Sequence, residues 1–390
     1  MKFLRNFLDR IEPNFKKGGK FHLLWPLYDA IETQYSVDKP NYSAPYVRDP
    51  IDSKRSMFFV VIALIPCLIY GAFNIGYIED SNREILDNLF VGLQVLIPIY
   101  IVTFVSGGLV ESIFAIIRRH EINEGFLVTG MLIPLIMPPE IPLWMVSIAT
   151  IFGTLIGKEI FGGTGYNVFN PALVARAFIF FGYPAYISGD KVWSVSKIPG
   201  TVDSVSMPTP LLRIANAEVG SYLDALKEVD WMDLFFGRIP GSIGETSTIM
   251  VIVGAVFLIL TRLINWRILV SIFIGMFVIS SLSNLFFDYV ETTNLMLSVP
   301  WYYHIVMGGF MFGAVFMATE PVTSAHTNGG RWVYGFLIGS LCILIRNFNP
   351  AYPEGMMLAI LFANASASFI DYVFINRNIN RRKDRIAVQQ

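Results

Sequence analysis

Charge is scarce in this chain. Asp, Glu, Lys and Arg make up 15% of its 390 residues, where soluble domains carry roughly 25%, so a soluble globular protein is excluded. Cysteine is scarcer still. Cys67 and Cys342 both sit inside apolar stretches and read as buried core thiols. Two thiols hold neither an iron–sulfur cluster nor a four-ligand thiolate zinc site. The four histidines, His22, His120, His304 and His326, have no metal-ligand spacing. A formal net charge of −1 gives no electrostatic basis for binding nucleic acid. The opening stretch MKFLRNFLDRIEPNFKKGGK lacks the continuous apolar core of a cleavable signal peptide. Its alternation of apolar and basic residues suits a helix lying on a membrane or on a partner.

What is abundant is apolar sequence. Hydrophobic residues reach 54% and the mean hydropathy is +0.54. Long apolar runs recur from residue 57 to residue 375, each long enough to cross a bilayer or nearly so. The expected fold is an all-α polytopic membrane protein with about ten transmembrane helices. Their expected positions are 57–76, 89–117, 125–138, 143–160, 170–187, 247–264, 268–286, 302–318, 332–346 and 355–375. Residues 1–56 form a polar segment ahead of the membrane. Residues 57–187 and 247–375 each hold five spans, 188–246 form a long loop between them, and 376–390 form a basic tail.

Lys and Arg set the expected orientation. Ten of the 29 precede residue 57, and others cluster at Arg118, Arg119, Arg262, Arg267 and Arg377–Arg385; Arg176 counts with them as a span-end charge. Cytoplasmic loops attract such residues, so both termini are expected in the cytoplasm.

Two stretches resemble each other. GTLIG at 153–157 precedes NVFNPA at 167–172, and GFLIG at 335–339 precedes NFNPA at 347–351. Each copy joins the fourth and fifth spans of a five-span half. Five is odd, so the copies fall on opposite faces, Asn170 inner and Asn349 outer. That is an inverted-topology repeat, whose ligands bind near its pseudo-two-fold axis, and it makes Asn170 and Asn349 cofactor-facing candidates as well as helix caps. IPLIMPPEIPLW at 133–144 and MATEPVTSAHTNGGRW at 317–332 interrupt the apolar pattern. Proline-rich backbone at membrane depth survives only where protein or a polar cavity satisfies its polar groups.

Ionisable residues near a membrane are functional candidates. Glu159, Glu320 and Asp371 all fall toward the expected cytoplasmic face. Carboxylates beside broken helices suit a hard cation such as Na+. The plainer reading pairs Lys158 with Glu159 and leaves Glu320 and Asp371 hydrated at the boundary. FGGTG at 161–165 lacks the Lys-Ser/Thr ending of a phosphate loop. The segment GSIGETST at 241–248 stands just before the apolar stretch Ile249–Leu260. Hydroxyls at a helix mouth cap the helix, and the same N–H groups and dipole accommodate a phosphate ester.

These motifs together resemble a known family, the NqrB/RnfD family, to which a membrane subunit of the bacterial sodium-translocating NADH:quinone reductase and its relative in the Rnf complex belong. The likeness is to the former. The carrying residues are GSIGETST, HEINEGF at 120–126, GKEIFGGTGYNVFNPALVARAF at 157–178 and FNPA at 348–351, and the likeness spans essentially the whole chain. The resemblance implies FMN attached through a phosphoester to Thr246, the threonine after Gly-Glu, in preference to Ser242 or Thr248. Ser242, Gly244 and Glu245 are then its immediate surroundings. It further implies non-covalent riboflavin between helices and ubiquinone reduced near the cytoplasmic face. Electrons would arrive from partner subunits, with their passage coupled to Na+ export at a bacterial inner membrane. Two alternatives stay open: the RnfD type, against which the extended residues 1–56 argue, and a small-solute channel or transporter, which an inverted repeat also suits.

Overall fold

The computed structural model describes residues 53–119, 125–187, 207–217, 221–226, 229–290, 292–349 and 354–388, with 10–16 and a few isolated positions besides. Most of the expected N-terminal amphipathic helix, residues 120–124 of the HEINEGF stretch, and Pro350 and Ala351 of the second FNPA lie outside the described residues. Every regular element among those described is helical.

The first group comprises α1 (Ser53–Glu79), α2 (Ile85–Arg118), α3 (Gly125–Leu135), α4 (Leu143–Gly157) and α5 (Pro171–Gly182). Three short helices follow: α6 (Pro210–Ala215), α7 (Tyr222–Ala225) and α8 (Trp231–Phe236). The second group comprises α9 (Thr248–Leu260), α10 (Trp266–Tyr289), α11 (Trp301–Val306), α12 (Asn328–Phe348) and α13 (Met356–Val388). Among the described residues, six helical segments are long and apolar enough to cross a membrane: Arg55–Glu79, Ile85–Arg118, Leu143–Phe161, Trp266–Tyr289, Asn328–Phe348 and Met356–Arg385.

Four expected spans are shorter or broken. α3, α5 and α9 are apolar but fall below spanning length. The stretch expected to cross at 302–318 divides into α11, a turn at Phe310–Phe312 and a π-helical turn at Gly313–Met317. Pro134 near the end of α3 and Pro138, Pro139 and Pro142 beyond it explain the first stop, because proline supplies no N–H to continue the ladder. Asn170 caps α5, its side chain accepting from the N–H groups of Ala172 and Leu173 with Pro171 in the first turn, as the Asn-Pro signal predicts.

Apolar residues on α2 spaced by four, Ile97, Ile101, Val105, Leu109 and Ile113, are exposed; in a bilayer this stripe meets lipid. Lipid tails are as apolar as leucine, so helix association rests on close packing. α10 and α12 achieve it at the GFLIG glycines, where Gly335 and Gly339 lie against the backbone carbonyls of Ile268 and Ile272. The matching GTLIG glycines on α4 instead face α5, Gly153 against Pro171 and Ala175. The motif is shared, but the two copies pack on different neighbours.

A second, smaller core lies apart from the main one. Leu211, Ile214, Leu226, Leu234 and Ile239 pack with Leu295, Met296, Val299, Tyr303, Val306 and Met307. This cap is built from α6, α8 and the segments around α11. It rests on the GSIGETST segment.

Candidate functional site

The GSIGETST segment is wedged between helices of the first group. α3 ends with unpaired carbonyls, as every helix does, and the segment uses them: the N–H of Ile243 donates to the carbonyl of Met137 at 3.1 Å, and that of Gly244 to Leu135 at 2.7 Å. From α1, the Asn74 amide donates to the carbonyl of Ile239 at 3.0 Å and approaches the hydroxyl of Thr246 at 3.5 Å. From α5 comes Arg176. Its Nη1 donates to both carboxylate oxygens of Glu245 at 2.9 Å, and its Nη2 to the Ser242 hydroxyl at 3.2 Å and to Glu354 at 2.5 Å.

Arg176 is therefore no span-end charge. It lies in the middle of α5, buried, and orders two carboxylates and a hydroxyl. The topology count that placed it among cytoplasmic cations is corrected accordingly. Two charges taken out of water are tolerable because Nη1 bonds both oxygens of Glu245 while Nη2 bonds Ser242 and Glu354.

Thr246 is 5% exposed. It borders a small cavity of about 20 Å³ whose walls include Thr209, Pro210, Leu211, Gly241, Ser242, Gly308 and Glu354. The helix cap is Ser247, whose hydroxyl accepts from the N–H of Met250. Sequence reasoning weighed the neighbouring hydroxyls and passed over this one. With Ser247 capping α9, the hydroxyl of Thr246 is left facing Asn74 and the cavity.

A second site lies at the other end of α1. Met57 lines it and Asn74 lines the first; seventeen residues at 1.5 Å each separate the two by about 25 Å along the helix, close to the thickness of a bilayer core. Here Ser56, Met57, Val128, Thr129, Leu132, Thr164, Asn167, Asn170, Leu258, Phe316, Glu320 and Lys158 surround a cavity of about 120 Å³ that opens partly to the exterior. The Thr164 hydroxyl is buried without a partner.

Glu320 stands in the irregular stretch between the π turn and α12, outside the spanning helices. Its carboxylate accepts from the Asn167 amide at 3.2 Å and the Thr323 hydroxyl at 3.1 Å. Burial pushes its pKa up to about 7, against hydrogen bonds from Asn167, Thr323 and Asn170 that pull it down. Desolvation of the charged form wins.

The other two acids are committed elsewhere. Glu159 pairs with Arg118 at 3.4 Å, and its carbonyl accepts from the same guanidinium at 2.6 Å. Lys158 pairs with Glu111 of α2, which corrects the expected Lys158–Glu159 pair. Asp371 anchors the turn before α12, accepting from the N–H groups of His326 and Thr327 at 2.7 and 2.9 Å and from the Thr327 hydroxyl at 2.5 Å. Glu159, Glu320 and Asp371 form no joint cluster; among the described residues no three acids, histidines or cysteines gather as a metal site. Asn349 follows the last turn of α12 and lines neither cavity.

Sequence reasoning missed Glu111, Asn74 and Glu354 altogether. It had Arg176 in hand but read it as topology; an arginine inside PALVARAFIFFG was the available signal, since a charge within a span marks function.

The fold and its sites define a polytopic helical membrane protein with a cavity near each end of its helical layer. Comparison with known proteins narrows this. The model of the NQR2, RnfD, RnfE family matches residues 41–380, and the chain belongs to that family. Three relatives that share one name, as the same subunit of the Na(+)-translocating NADH-quinone reductase, are similar along almost their whole length. Those of Yersinia pestis and Azotobacter vinelandii are 45% identical, and that of Neisseria meningitidis serogroup B is 43% identical, each alignment covering 98% of this chain and 99% of the relative.

Proposed function

We propose that the chain is the membrane redox subunit of a sodium-pumping NADH:ubiquinone oxidoreductase, with FMN esterified to Thr246, riboflavin in the opposite cavity and ubiquinone as electron acceptor. The observation that carries this reading is the Thr246 hydroxyl, held on the wall of a cavity by a segment that Arg176 clamps. Relatives named for the Na(+)-translocating NADH-quinone reductase align with 98% of the chain, which supports the same choice over the RnfD type or a solute transporter.

The residues fit the two flavins. A phosphoester at Thr246 stands just ahead of the α9 N-terminus, where the helix dipole favours an anion, and the Asn74 amide is within reach of the same oxygen. Ser242, Gly244 and Glu245 shape the wall beside it. The larger cavity combines an apolar lining with a few polar groups, the usual make-up of a cofactor site; Asn170 and the unpartnered Thr164 hydroxyl supply hydrogen bonds. A bound flavin supplies the one- and two-electron chemistry, while the protein places and tunes it. With two cysteines the chain depends on partner subunits for electrons.

The Na+ path is assigned to the Glu320 end. Glu320 borders the cavity, Asp371 fixes the turn at His326 and Thr327 that leads into α12, and Glu159 joins the ion pairs at the same end. The basic tail Arg377–Arg385 and the basic residues before 57 support cytoplasmic termini in a bacterial inner membrane, with Thr246 at the outer face. Peptide mapping of the purified chain tests the reading: an FMN adduct is expected on Thr246, and a chain with no flavin, or with flavin on another residue, overturns it.

A further inference from the structure

We infer that Thr246 receives its flavin before the cap closes, so that the modified residue is afterwards sealed in by the chain's own fold. This rests on the reading of Thr246 as the flavin-bearing residue.

Every residue from Ser242 to Thr248 is buried. The cap lies against the backbone at Thr246 and Ser247. α8 ends at Gly237 in a left-handed turn with φ 89°, and there a side-chain carbon would meet the Ser247 backbone at 2.6 Å and the Thr246 carbonyl carbon at 2.7 Å. Only a residue without a side chain allows that approach. α6 adds Pro210 and Leu211 to the cavity wall beside Thr246, and Leu211 and Leu234 are buried in the cap core. From the other side, Leu135 and Met137 hold the backbone and Arg176 holds Ser242 and Glu245.

Phosphoester formation needs an activated flavin nucleotide, for which FAD suffices. The threonine oxygen attacks the flavin-side phosphorus and the pyrophosphate P–O bond breaks. AMP departs, the hydroxyl proton passes to the departing phosphate or to solvent, and no electrons change hands. A transferase catalysing this step must bring the hydroxyl to within about 3–3.5 Å of the phosphorus, inside its own active site. The hydroxyl of a residue as buried as Thr246, facing inward to Asn74 and a small cavity, does not reach that position.

The test is cell-free synthesis of the full chain into lipid nanodiscs, where both faces are open, with FAD and a flavin transferase. One sample contains the transferase from the start; the other receives it after folding is complete. Adduct on Thr246 is expected to form at least about tenfold more slowly in the second, a ratio that an opening free energy of only ~1.4 kcal/mol produces. Leu234→Ala, which loosens the cap, is expected to raise late labelling. Equal rates in the two wild-type samples overturn the proposal. So does unchanged late labelling in a Leu234→Ala chain whose cap proteolysis shows to be open. Absence of adduct in both wild-type samples and in chain made in cells overturns instead the reading of Thr246 itself.

Discussion

Arg176 and Glu245, 69 residues apart in sequence, meet in two hydrogen bonds of 2.9 Å from a single guanidinium nitrogen. The pair joins the middle of α5 to the segment that opens α9. The other guanidinium nitrogen reaches Ser242 and Glu354, so one side chain fixes three positions around Thr246.

Removing Arg176 strands buried acids. Arg176→Met is expected to destabilise the chain by about 3–5 kcal/mol, the usual cost of leaving a buried charge unpaired. Arg176→Lys keeps the charge but loses the second nitrogen that reaches Ser242 and Glu354 and should fall between. Thermal unfolding in detergent measures both. The double variant Arg176→Met with Glu245→Gln should regain part of the loss; strictly additive effects would deny the coupling.

Thr246→Ala is expected to abolish the covalent flavin while leaving the unfolding temperature nearly unchanged, because its hydroxyl makes only one long contact, at 3.5 Å. Ser242→Ala and Thr248→Ala should keep the adduct. In-gel fluorescence of the denatured chain reads all three, and a fluorescent Thr246→Ala band would refute the assignment.

Glu320 predicts a pH dependence. Its carboxyl is raised from 4.5 to about 7 in the folded chain, so between those values the folded state holds a proton that the unfolded state has released. Stability from this group is complete below pH 4.5 and is lost as pH rises to 7, by on the order of 3 kcal/mol. Glu320→Gln should flatten that part of the profile. A variant profile parallel to wild type counts against it.

Glu320→Ala and Asp371→Ala are each expected to raise the Na+ concentration giving half-maximal quinone reductase activity in the assembled complex. Asp371→Ala also frees the turn at His326 and Thr327, so it should cost roughly 1.5–3 kcal/mol for each charge-assisted hydrogen bond lost. Unchanged Na+ dependence in both variants would remove them from the ion path.

The helical character and the approximate place of most spans were legible, because long apolar runs signal themselves. So were the breaks, from their prolines. Less legible was what the breaks do: the carbonyls of Leu135 and Met137 find partners more than a hundred residues later, which no local pattern encodes. Pairing was legible by neighbourhood only and failed there. Lys158 passes over adjacent Glu159 for Glu111 because successive residues on a helix end point in different directions. Arg176 failed for a different reason: a charge count treats every arginine as hydrated, and this one is not.

The helices that hold Thr246 in place, α1, α3 and α5, all lie before residue 188, while Thr246 itself lies after 240. Neither stretch alone holds Thr246 as the folded chain does. A chain divided within 188–206 would keep every described helix, yet the pocket beside Thr246 would exist only where the two pieces had docked. The pocket beside Thr246 is thus a property of the joint, and the fraction of chains that form it is a measure of how many have been put together.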